Sequence, residues 1–379
     1  MAYRRNVLLV LADIKAGDSQ KGSHIMKTQR KNWRTVRDLM RSYRASQILM
    51  TCNQLGIFRL LAGGPRRADE IAKRTGSHPD ASRRLFNAAA ALGLLTKTGE
   101  TYANGPLAAT CLAKEGPFYL GNMARQEQAT YERWGRLPEA IRTGRWPELN
   151  RQAEERTQWV RNFEMAMYDM ARTVAPLIAE VLPLPTDRPL RLLDVGGGPG
   201  GYSMALARRY PRLNATVFEL PAAAEVAREM IAAEGLTGRV KVQTGDFQRE
   251  DLGKGYDVVL IFGVLVSETD EGKRALLRKA HTALVPGGLL AIREFWLNPE
   301  DPAASPEAAL FSLHMLLANS VGNVLSLGEM KNLLAEAGFT RLGQVKLPAW
   351  VDLTMCLAHK PRSARRRRNL GSKVPGKNS

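Results

Sequence analysis

One segment constrains this chain more than any other. Leu190 to Val195 is an apolar run ending in the pair Asp194-Val195, followed at once by Gly196-Gly197-Gly198-Pro199-Gly200-Gly201. An apolar run that stops at a glycine-rich turn and reopens as SMALARRY (203–210) is a strand, a tight turn and a helix. Glycines there let a ligand approach the backbone, because no Cβ intervenes. The following helix offers unpaired N–H groups at its N-terminus. In an open α/β sheet, ligands bind in this position, outside the carboxyl ends of the strands.

The pattern continues. NATVFEL (214–220), VKVQTGD (240–246), YDVVLIFGV (256–264) and GLLAIREFW (288–296) read as further strands, with helices AAAEVAREMIAAEG (222–235) and EGKRALLRKAHTAL (271–284) between them. Alternating strand and helix gives an α/β fold with a mostly parallel, doubly wound sheet. LGQVKLP (342–348) and WVDLTMCLAHK (350–360) read as a closing hairpin on it. The second strand ends at Glu219, whose carboxylate can accept hydrogen bonds from both ribose hydroxyls and disfavours a 2′-phosphate there. The third ends Gly245-Asp246-Phe247, an acid for the adenine amino group beside a ring for its face. Three consecutive strand ends thus point to a nucleoside ligand, far more specifically than the glycine loop alone.

The first half has another character. ADEIAKRTG (68–76) and ASRRLFNAAAALGLL (81–95) read as two short helices, and LTKTGETYAN (95–104) as two short strands, a winged-helix arrangement. The domain reading is an extension without periodicity at 1–33, expected to be disordered; a winged-helix domain at 34–115; a helical connector at 116–180; the α/β domain at 181–360; and a basic disordered tail at 361–379. The net charge of +18 sits mostly at the two ends. Residues 1–34 hold eight basic and two acidic residues, and 360–379 hold eight basic and none acidic. Such ends can attract polyanions, but solvated tails are the simpler reading, and the second winged helix is basic only at Arg83 and Arg84, so specific nucleic-acid binding is not expected. The apolar run Val7–Ala12 is too short to span a membrane. Three widely spaced cysteines argue against a disulfide framework or zinc site and for a cytoplasmic protein, and no metal is expected.

LLDVGGGPGGYSMALARRYP, VFELP, GDF and ALVPGGLLAIREFWL resemble the S-adenosylmethionine (SAM)-dependent O-methyltransferases with an N-terminal winged-helix dimerisation domain, the plant phenolic and bacterial polyketide type. The resemblance covers roughly residues 34–360. It implies a Rossmann-like methyltransferase sheet, a homodimer, SAM as cofactor and a small, aromatic or polyketide-like acceptor. It places Asp194, Gly196, Gly197, Gly198, Glu219, Leu220, Asp246, Phe247 and Phe262 at the cofactor; Tyr131, Trp134, Phe163, Met167 and Met315 are an apolar set suited to a pocket for a flat acceptor. The family's histidine base falls on Val266, and of the two acids that support that histidine one is retained as Glu294 while the other falls near Val324. His314 and Glu294 are therefore the candidate catalytic residues, and Glu268 reads as a solvated acid at a helix start. Two other readings stay open: a SAM-binding homologue with non-methylating chemistry, and a winged-helix DNA-binding regulator.

Overall fold

A computed structural model describes residues 20–146, 153–319, 321–351 and 354–362. Residues 1–19 and the tail from 363, where disorder is expected from the sequence, lie outside the described residues. The chain divides into two compact units at Pro106–Leu107, short of the expected boundary at 115.

The first unit opens with α1 (Gln20–Arg41), α2 (Tyr43–Gln54) and α3 (Ile57–Leu61). Helix α1 starts inside the stretch expected to be an extension. Its sequence is mostly Lys, Arg, Gln and other polar residues, all compatible with a helix, but so polar that no apolar period shows before Trp33. Then come β1 (Arg66–Arg67), α4 (Ala68–Thr75), α5 (Pro79–Ala91), β2 (Leu95–Thr98) and β3 (Thr101–Asn104). Helix α4 stops because Gly76 takes a left-handed φ of 65°, and α5 starts on Pro79, which needs no amide partner in the first turn. The three strands form one antiparallel sheet in the order β1-β3-β2, the expected wing. Ile57, Phe58, Ile71, Phe86 and Tyr102 fill its core. Asn87 Oδ1 accepts from Tyr102 Oη at 2.7 Å and from Lys97 Nζ at 3.1 Å, tying α5 to the sheet. Arg84 on α5 is ion-paired to Asp80 at 2.8 Å, a pairing within one turn of the helix.

Helix α6 (Pro106–Cys111) leads into the second unit: α7 (Gly121–Trp134), α8 (Leu137–Thr143) and the long α9 (Ala153–Val181). Helix α7 is held to α9 by Asp169, which accepts from the Asn122 backbone N–H at 2.9 Å and its side-chain amide at 3.0 Å. There follow β4 (Leu190–Val195), α10 (Gly201–Arg209), β5 (Leu213–Glu219), α11 (Pro221–Ala233), β6 (Val240–Thr244), β7 (Tyr256–Phe262), α12 (Asp270–Ala283), β8 (Leu284–Glu294), α13 (Pro306–Ala318), α14 (Leu327–Glu336), β9 (Thr340–Lys346) and β10 (Thr354–His359). The seven-stranded sheet has the order β6-β5-β4-β7-β8-β10-β9; β10 is antiparallel to both β8 and β9, and the rest are parallel. The central strands are apolar along nearly their whole length, as a sheet covered on both faces requires. One face packs Leu192, Val217, Leu260 and Ala291 against Ile178, Met204 and Ile231; the other packs Leu193, Phe218, Ile261 and Ile292 against Leu276, Leu277 and Leu334. The order reverses between β4 and β7, so the ends of β4, β5 and β7 border the crevice where ligands collect in such sheets.

Candidate active site

The turn after β4 is built by conformation before chemistry. Gly196, Gly198 and Gly200 have φ of 62°, 53° and 78°, a region where a side chain is strained. The Gly196 N–H reaches across to Phe218 O at 2.9 Å, which fixes the turn to the end of β5. A Cβ on Gly197 would sit 2.6 Å from Asp194 Cγ, and one on Gly198 would sit 2.8 Å from Glu164 Oε2. The loop is thus cradled by carboxylates.

Asp194 is fully buried. Its Oδ2 accepts from Ser203 Oγ at 2.8 Å, while Oδ1 is buried without a partner. Burial, with Glu219 adding repulsion, pushes its carboxyl up to about 7. Glu219 accepts from the Gly198 N–H at 3.2 Å and the Leu220 N–H at 2.6 Å, and burial raises it as well. Glu164, on α9, is the third acid. It is 5% exposed, its Oε2 has no partner, and burial together with the Glu219 charge pushes it up to about 8. The sequence reading named Phe163 and Met167 on this helix and passed over Glu164. Its signal was a lone acid in the stretch Phe163–Tyr168, which is otherwise apolar.

Beyond the loop, Asp246 accepts from the Gln248 N–H at 2.9 Å. Phe247 lines a cavity of about 300 Å³ with Gln248, Ser267, Glu268 and Thr269. Glu268 is not the solvated acid expected: it is 7% exposed and accepts from Gln248 Nε2 at 3.0 and 3.1 Å. Thr269, whose side chain accepts from the Gly272 N–H at 3.1 Å, is the true cap of α12, so Glu268 lies before the helix and turns inward. Phe262 packs edge-on against Tyr202, ring centres 5.0 Å apart, as part of the core, and Leu220 is largely exposed.

The expected catalytic positions fall into two settings. Val266 and Val324, the positions where the resemblance puts the histidine and one of its supporting acids, join Ala308 and Met315 in one buried apolar cluster. Met315, expected at the acceptor, is 5% exposed within that cluster. Glu294 is 6% exposed, accepts from the Leu265 N–H at 3.0 Å, and is pushed up to about 8 by burial. The space around it is only about 10 Å³, barely one water. His314, on α13, stacks on Phe311 with ring centres 5.5 Å apart; burial, then the Arg133 charge, lowers its pKa and keeps the imidazole neutral. Of the other acceptor residues, Phe163 stacks on Trp159 at 5.6 Å, Trp134 and Met167 are half-buried, and Tyr131 is exposed on α7. Among the described residues, no group of three His, Cys, Asp or Glu could hold a metal ion, and no helix is long and apolar enough to cross a membrane.

A seven-stranded sheet that ends in an antiparallel pair is a methyltransferase-type fold, and its glycine cradle below buried carboxylates lies where such sheets bind ligands. Residues 143–340 match the O-methyltransferase domain and residues 37–114 the O-methyltransferase dimerisation domain. The chain is 31% identical over 314 residues to 3-hydroxy-5-methyl-1-naphthoate 3-O-methyltransferase of Streptomyces sahachiroi, covering 82% of this chain and 90% of that protein. It is 30% identical over 340 residues to the tetracenomycin polyketide synthesis 8-O-methyl transferase of Streptomyces glaucescens, covering 86% and 96%. The crystal structure of human N-acetylserotonin methyltransferase in complex with SAM superposes with a TM-score of 0.78 at 26% identity, covering 87% of this chain and 98% of that one. The chain therefore belongs to the SAM-dependent O-methyltransferases that carry a dimerisation domain.

Proposed function

We propose that this enzyme methylates a hydroxyl group on a small aromatic or polyketide-derived acceptor, with Asp194, Gly196, Gly197, Gly198, Glu219, Leu220, Asp246, Phe247 and Phe262 as its cofactor residues. The observation that carries the reading is the convergence of Asp194 and Glu219 on a loop whose glycines leave room for a ligand and no room for side chains. Bound SAM supplies a methyl group made electrophilic by its sulfonium. The protein's part is placement. Glu219, which accepts only one backbone N–H on each oxygen, keeps lone pairs for the ribose hydroxyls. Phe247 offers its ring to the adenine face. Alignment of the acceptor with the methyl group supplies much of the catalytic effect in a displacement of this kind.

No histidine stands at position 266, so the acceptor proton goes elsewhere. His314 is neutral and takes that role, and an acceptor that is already acidic lightens it. Glu294 is a positioning residue: by accepting from Leu265 it fixes the turn that presents Val266. The enzyme acts as a homodimer through its N-terminal domain. Trp33, Val36, Leu39, Met40 and Tyr43 support this, lying at helical spacing on α1 and the start of α2 and between 49% and 69% exposed. Free Cys52, Cys111 and Cys356 fit a reducing cytoplasm.

The test is incubation with SAM and a panel of hydroxynaphthoates, phenols and hydroxyquinones, followed by mass spectrometry. Methylated product formed together with S-adenosylhomocysteine, and lost in Glu219→Ala, is the expected result. S-adenosylhomocysteine release with no methylated acceptor would refute the proposal.

A further inference from the structure

The Glu219 charge acts on both Glu164 and Asp194, and among the described residues no cation forms an ion pair with any of the three. Glu219 and Asp194 each receive protein hydrogen bonds, but Glu164 Oε2 is buried and receives none. It faces the spot above Gly198 that only a missing side chain leaves open. An unpaired buried carboxylate oxygen is costly, and a donor carrying positive charge answers both the missing hydrogen bond and the surplus of negative charge. A metal does not fit, since no group of three ligating side chains among the described residues could hold one. The cofactor carries two cationic centres, and only one of them has N–H groups to donate. We propose that Glu164 is a further cofactor-binding residue, accepting a hydrogen bond from the α-ammonium group of the methionyl moiety beside Gly198. The proposal rests on the cofactor site described above and adds to it an anchor from α9, outside the sheet and its strand ends.

It follows that Glu164 serves SAM and S-adenosylhomocysteine alike, because both carry the ammonium group, and does nothing for 5′-methylthioadenosine, which lacks the amino-acid portion. The experiment is calorimetric titration of the full chain, wild type, Glu164→Gln and Glu164→Leu, with each of the three compounds. Melting temperatures of all three proteins are recorded alongside. Losing one charge-assisted hydrogen bond weakens SAM and S-adenosylhomocysteine by roughly 10-fold in Glu164→Gln and roughly 100-fold in Glu164→Leu, with 5′-methylthioadenosine within about twofold of wild type. Unchanged affinity for SAM and S-adenosylhomocysteine overturns the proposal. So does an equal loss for 5′-methylthioadenosine, which would give Glu164 a role in shaping the loop only. A loss confined to SAM would move Glu164 to the sulfonium and overturn the ammonium assignment. Failure of the wild-type chain to bind any of the three would remove the cofactor site itself, a result distinguishable from all of these.

Discussion

Glu164 also makes a statement about the protein without ligand. Its carboxyl is pushed from 4.5 up to about 8, first by burial and then by Glu219. Below about pH 4.5 the folded and unfolded chains both hold this proton, and the acid costs nothing. As the pH rises, the unfolded chain releases the proton while the folded chain keeps it, so stability falls until the pH passes about 8 and then levels off. At about 1.36 kcal/mol per unit the full interval is a penalty of about 5 kcal/mol. Glu164→Gln cannot ionise and loses this slope, although its buried amide lacks partners and costs about 1–3 kcal/mol at every pH. The ligand-free variant is therefore expected to melt slightly below wild type at pH 5 and above it at pH 8.5. A net gain of about 2–4 kcal/mol at the higher pH raises Tm by roughly 5–10 °C for a unit of this size. The assay is differential scanning calorimetry of both proteins, ligand-free, from pH 5 to 9. Asp194 and Glu219 titrate in both proteins, so the difference between the two curves reports Glu164 together with its charge coupling to Glu219. A Tm difference that does not change with pH refutes the reasoning.

Other consequences can be measured directly. Gly196→Ala places a side chain at a φ of 62° with its Cβ 2.6 Å from Val264 Cγ2, which is expected to cost about 2–5 kcal/mol and to appear as a lower denaturation midpoint; a midpoint equal to wild type would contradict the geometry. Val266→His installs the residue that the resemblance implies there, but sets an imidazole among Ala308, Met315 and Val324 in a cavity of about 10 Å³, with Glu294 its one carboxylate neighbour and already accepting from Leu265, so the variant should lose about 1–3 kcal/mol of stability and gain no kcat, whereas a faster enzyme would show the base is merely missing. His314→Ala should lower kcat most for the least acidic acceptors and flatten the acid limb of the pH–rate profile; equal kcat for all acceptors would take His314 out of the chemistry. Leu39→Asp with Met40→Asp should give a monomer in sedimentation velocity, and an unaltered dimer would place the interface elsewhere.

Much of the α/β unit was legible because its signals are local. Mostly apolar runs such as Leu190–Val195 and Tyr256–Phe262, each ending at a glycine, need no partner to be read as strands, and a strand end carrying Asp194 or Glu219 is visible in one dimension. What stayed hidden depends on distance in space. Glu164 lies 55 residues before Glu219, and nothing local to Phe163–Tyr168 says that α9 passes beside the loop. Val266 and Val324 could be identified singly as departures from a pattern, but their shared cluster with Met315 appears only once α13 is packed. Glu268 was misplaced for a simpler reason: in Ser267-Glu268-Thr269-Asp270-Glu271 three residues, Ser267, Thr269 and Asp270, can cap a helix, and the hydrogen bond from Gly272 selects Thr269.

The strand order has a temporal consequence. Chain growth delivers β10 after every other strand, yet its place is between β8 and β9, with Met355 opposite Arg293 on one side and Val345 on the other. Until Thr354–His359 has been made, β8 presents an open edge along Leu289–Ile292, and β9 has nothing to pair with. The nascent protein therefore passes through a stage in which an apolar ladder is exposed to any other unpaired strand, including that of a neighbouring nascent chain. Inserting β10 quenches that edge, so the last strand to emerge acts as the lock on a sheet whose other parallel strands are already in place.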